Sequence, residues 1–203
     1  FMFIGSQMSF TIMTAAAPFI AVDLLGGERS DVALLLGPLL ACSLPFFLIV
    51  GRVTRRIGWE KAVMYASLAL GGIYILASLA GSSLIGSPFV TAMVLFSLGG
   101  PMVAFLLGLE GEAVAACAHE RGGNVVSMYF GVWNFLVKAF NGLAILIAGI
   151  LAEYARGAAG PIAVRFMSMS AGACLVFGVV IYMILRPRPG QEPAPATNDQ
   201  SAE

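Results

Sequence analysis

The sequence predicts an all-α integral membrane protein, a bundle of six transmembrane helices, on three observations. Hydrophobic residues make up 59% of the 203 and charged residues only 11%, against about a quarter charged in soluble domains, and the mean hydropathy is +0.92. The apolar residues gather into six runs, each long enough to cross about 30 Å of hydrocarbon as a helix. None of the runs has the period-2 alternation of a barrel strand, and in hydrocarbon a helix satisfies every backbone group within its own segment.

Charge, Gly and Pro punctuate the runs. The first, residues 2–25, is apolar from its start, lacks a basic leading region and exceeds the length of a signal-peptide core, so it reads as a span. Phe1 has no charged flank ahead of it, which predicts that the chain starts inside a longer protein. The second run covers residues 32–50, the third 62–80, the fourth 87–109, the fifth 125–151 and the sixth 165–185. Pro18, Pro38, Pro45 and Pro101 fall inside spans, where prolines mark kinks that neighbouring helices tolerate. The spans make residues 1–186 one membrane domain. Residues 187–203, rich in Pro, Ala and polar side chains, are predicted to be a disordered cytoplasmic tail.

Lys and Arg placement sets the expected orientation. Arg52, Arg55, Arg56, Lys61, Arg121, Arg186 and Arg188 fall on one side, and only Arg29, Arg156 and Arg165 on the other. The first side is therefore expected in the cytoplasm of a cell (inner or plasma) membrane, with both chain ends facing it. The hairpins Val22 to Asp31, Gly81 to Ser87 and Glu153 to Arg165 then face outward. Eleven cations balance eleven acids, so nothing recruits nucleic acid. Cys42, Cys117 and Cys174 lack metal-ligand or disulfide spacing and read as small hydrophobes. No nucleophile elbow, zinc-protease helix, phosphate loop or dinucleotide fingerprint is present, which argues against an enzyme.

Lys138 is the one cation inside a span. It lies about 18 Å along the fifth helix, where an ammonium in lipid costs at least about 2.5 to 3.5 kcal/mol, so it needs an aqueous cavity or an acidic partner. Ser127, Gly131, Asn134, Lys138 and Asn141 recur at steps of three or four and form one polar stripe. A second stripe in the first span is made of Gln7, Thr11, Thr14 and Pro18. Gly99, Gly100 and Pro101 interrupt the fourth run and suggest close helix packing. Glu110, Glu112, His119, Glu120 and Arg121 read as a solvated loop after that run, offering gating contacts.

Two stretches carry a family resemblance. Gly51-Arg52-Val53-Thr54-Arg55-Arg56-Ile57-Gly58-Trp59-Glu60-Lys61 resembles the basic loop between the second and third helices of a major facilitator half. Tyr129-Phe130-Gly131-Val132-Trp133-Asn134-Phe135-Leu136-Val137-Lys138-Ala139-Phe140-Asn141-Gly142 resembles the eleventh helix of the glycoside-pentoside-hexuronide:cation symporters, the melibiose-permease-like group. The resemblance covers the chain as helices seven to twelve, one half of a twelve-helix fold. It implies a sugar or related small solute moved with Na⁺ or H⁺ by rocking of two halves, with membrane lipid and an amino-terminal half as partners and no other cofactor. It places Lys138 at the cation and sugar site; helical spacing sets Asn134 and Asn141 on the same face and offers Gln7, Thr11 and Thr14 as further candidates to line it, with Arg52, Arg55, Arg56 and Glu112 as candidates for cytoplasmic gating contacts. Where the family carries further acids before that helix, this chain has Ala115, Cys117 and Val126. A carrier of a non-sugar apolar solute, or a membrane scaffold without transport, is the alternative.

Overall fold

The computed structural model of the chain describes residues 2–79, 87–119, 126–157 and 160–185. They form α1 (Met2–Phe19), α2 (Val32–Ile57), α3 (Trp59–Ala77), α4 (Pro88–His119), α5 (Val126–Arg156) and α6 (Gly160–Leu185). All six are long and apolar enough to cross a bilayer, and no strand occurs among the described residues. After α1 the chain widens into one π turn, Ile20–Leu24, directly beyond Pro18, where a missing proline N–H has already disturbed the helical ladder. A 3₁₀ turn, Arg29–Asp31, then leads into α2, held where the Glu28 N–H donates to Asp31 Oδ2 at 2.8 Å.

The helices pack in the spatial order α2, α4, α3, α6, α1, α5, which leaves α2 and α5 as the flanks. Tyr74, Phe96, Ile12, Met13, Leu39, Met167 and Leu175 fill the middle and are almost wholly inaccessible. Small residues set how closely the helices approach. A Cβ on Gly172 of α6 would stand 2.7 Å from the Gly71 carbonyl oxygen of α3, and one on Gly5 of α1 would stand 2.6 Å from the Cys174 oxygen. Gly100 of α4 lies against the Leu39 oxygen, Cys42 and Ser43 of α2, so the Gly99-Gly100-Pro101 interruption stays helical and serves as a contact surface.

Charge proves a poor marker of helix ends. The basic stretch from Gly51 to Lys61 is not a loop: α2 carries Arg52, Arg55 and Arg56 on its last two turns, and α3 begins at Trp59. Gly58 alone joins the two helices, at φ +83°, a conformation that only glycine adopts without strain. Its N–H donates to the Thr54 oxygen and its own oxygen accepts from the Ala62 N–H, so it closes one helix and opens the next. The segment after Leu109 is likewise helix and not loop: Glu110 to His119 has no Pro, and its four alanines outweigh the single Gly111. Arg156 ends α5 and Arg165 lies inside α6, so the hairpin expected from Glu153 to Arg165 is far shorter. Glu120, Arg121, the Gly81 to Ser87 hairpin up to residue 86, Arg186, Arg188 and the tail 187–203 lie outside the described residues.

Candidate functional site

Helices α1 and α5 lie side by side with their polar stripes on the same open flank of the bundle. On α1, Met2, Ile12, Met13 and Ala16 face the core, and at about 100° per residue Gln7, Thr11 and Thr14 fall on the opposite face. On α5 only Ala144, Ala148 and Ala155 are buried, and the stripe from Ser127 to Asn141 is turned about 80° away from them. One bond ties the two stripes: the Thr11 hydroxyl donates to Asn141 Oδ1 at 3.1 Å. Thr14 and Asn134 instead return to their own helices, donating to the Phe10 oxygen at 2.8 Å and the Phe130 oxygen at 2.9 Å.

Lys138 stands one turn from Asn134 and one turn from Asn141, exposed on this flank. It forms no hydrogen bond or ion pair with another described residue. Its ammonium is therefore a donor group with open space before it, between two amide side chains that can accept or donate.

A polar clasp closes the basic end of the seam. Glu110 of α4 accepts from Gln7 Nε2 of α1 at 2.6 Å and from Trp133 Nε1 of α5 at 2.9 Å, one bond to each carboxylate oxygen. Three helices meet at this carboxylate. The Trp133 indole is also packed edge to face on Phe3, with ring centroids 6.3 Å apart. Glu110 read in sequence as one charge of a solvated loop; the signal that could have found it is the i, i+3, i+4, i+7 spacing of Glu110, Ala113, Val114 and Cys117, which makes one helical face.

That face borders a cavity of about 480 Å³ between the basic ends of the helices, on the side of α5 away from the polar stripe. Its walls include Phe3, Trp59, Tyr129, Trp133 and Tyr182. The five come from four helices, so no single run of sequence announces them. Glu112 points outward from the same stretch of α4, and Arg52, Arg55 and Arg56 are exposed at the end of α2. None of these four reaches the seam through a recorded bond. Among the described residues no three His, Cys, Asp or Glu side chains converge as metal ligands, and all three cysteines are free.

No protein-family model matches the chain, and neither a curated protein nor a solved structure matches it.

Proposed function

We propose that the chain is the carboxy-terminal half of a major facilitator secondary transporter that moves a sugar or related small solute with Na⁺ or H⁺ by alternating access. The observation that carries this reading is Lys138. It sits midway along a helix apolar enough to span a bilayer, yet it is exposed and has no acidic partner among the described residues. Lipid does not accept an ammonium at that depth at low cost, so the flank of α1 and α5 needs a covering that is wet or acidic. An amino-terminal half across a central pathway supplies both. Lys138 then meets the carboxylates of that half, and Asn134, Asn141, Gln7, Thr11 and Thr14 line the pathway. The basic end, with Arg52, Arg55 and Arg56, faces the cytoplasm of a plasma or inner membrane, as do both ends of the chain.

Solvent access tests the pathway without knowledge of the solute. In a background of Cys42→Ala, Cys117→Ala and Cys174→Ala, the Asn134→Cys and Lys138→Cys thiols are expected to react with a membrane-impermeant maleimide in the transporter assembled from both halves. The Val180→Cys thiol, on an exposed apolar face of α6, should not. Protection of both seam thiols removes the aqueous pathway and the reading with it. In the same assembly Lys138→Ala should abolish solute uptake and its cation dependence; unchanged uptake refutes the site.

The aromatic cavity favours a second reading in the same architecture, a carrier of an apolar solute. Competition separates the two: sugars displace the transported solute in the first and have no effect in the second.

A further inference from the structure

We propose that the aromatic cavity at the basic end binds an organic cation with an apolar body, of the quaternary phosphonium or ammonium kind. The site lies across α5 from the polar seam and does not depend on the chain being a transporter. Size comes first: about 480 Å³ falls within the range of pockets that enclose a drug-sized ligand. The walls are almost entirely apolar, so a sugar would surrender the hydration of its hydroxyls without replacement there.

Charge decides among apolar ligands. Among the described residues no Lys, Arg or His lines the cavity. Glu110 sits one turn below Ala113 and Val114 on the same face of α4, and its carboxylate holds the indole of Trp133, a wall of the cavity, at 2.9 Å. Its partners, Gln7 and Trp133, are neutral donors, and among the described residues no cation pairs with the carboxylate. A carboxylate beside the cavity wall favours a cationic ligand over an anionic one of the same shape. Aromatic faces add to the same preference, because the ring quadrupole attracts cations and quaternary ammonium groups are held by aromatic cages. Met2 and Met128, also in the wall, are flexible and polarizable and adapt to an irregular body.

The chain carries its own reporter. It has two tryptophans, Trp59 and Trp133, and both line the cavity. Tetraphenylphosphonium and tetraphenylborate share a shape and differ in sign of charge. With the full chain in detergent micelles, tetraphenylphosphonium is expected to quench indole fluorescence saturably, at concentrations at least about tenfold below tetraphenylborate. Glu110→Gln should reduce that preference to about twofold or less, whereas Glu110→Asp, which keeps the charge, should retain it. Cys117→Phe, which places a ring in the cavity from α4, should abolish saturable quenching. Equal or tighter binding of tetraphenylborate overturns the proposal, as does a preference unaffected by Glu110→Gln or lost equally in Glu110→Asp. Wild-type binding by Cys117→Phe places the ligand elsewhere. A brominated neutral phospholipid that quenches both indoles and is not displaced by tetraphenylphosphonium assigns the cavity to acyl chains instead.

Discussion

Helices α2 and α5 occupy equivalent places at the flanks of the bundle, and each buries little: five residues in α2 and three in α5, against ten in α6. Their open faces differ in kind. That of α2 carries Leu40, Leu44, Phe47 and Leu48, and its two hydroxyls, Ser43 and Thr54, are buried and donate to the Leu40 oxygen at 2.7 Å and the Val50 oxygen at 3.0 Å. That of α5 carries Ser127, Asn134 and Lys138 beside Met128, Phe135 and Ile145. Hydrocarbon satisfies the first face completely and cannot satisfy the second. Exposure by itself therefore says little about function in such a bundle; a polar side chain exposed where lipid would lie says a great deal.

The sharpest way to break this contrast is to exchange the chemistry of the two faces. Leu44→Lys should cost about 2.5 to 3.5 kcal/mol of insertion free energy, seen as a fall in the membrane-integrated fraction during translation with microsomes. Lys138→Leu should leave that fraction unchanged or raise it. Equal losses from both would mean that α2 and α5 meet the same environment. Packing gives the next largest effect. Gly100→Val drives a side chain into the α2 backbone and should destabilise by about 1 to 3 kcal/mol in detergent unfolding. Gly142→Val, on the open side of α5 with nothing within 4 Å of its added Cβ, should stay within about 0.5 kcal/mol.

The clasp ranks third. Glu110→Ala removes both bonds that join α4 to α1 and α5 and is expected to cost about 1 to 2 kcal/mol. The loss should be non-additive with Gln7→Ala in a double-mutant cycle. The smallest effect belongs to the bridge between the stripes. Thr11→Val should lose about 0.6 kcal/mol, a typical value for a hydrogen bond between membrane helices, and none of it in an Asn141→Ala background.

The length of the apolar runs made the six helices legible, and the 3.6-residue repeat made the two stripes so, because it holds whatever the helix packs against. Helix ends were less so. Charge at Arg52 and Glu110 marks where an apolar run stops, while the helix goes on until a residue such as Gly58 halts it. The Thr11 to Asn141 bond and the Glu110 clasp were out of reach for a different reason. Their partners are 130 and 103 residues apart in the chain, and no local pattern records which helices become neighbours. The aromatic cavity was hidden in the same way, its walls being scattered over the ends of helices that meet only in three dimensions.

The link between α2 and α3 is a single residue, and that has a mechanical consequence. A longer loop would act as slack, letting one helix tilt while the other stays still. Here a tilt of α2 about its basic end has two outlets only: it turns the backbone at Gly58, or it drags Trp59 along. Since Trp59 is a wall of the aromatic cavity, a lever nearly 40 Å long is coupled through one glycine to that wall. Stiffening the joint with Gly58→Ala would strain it at φ +83° and tie the two motions still more tightly.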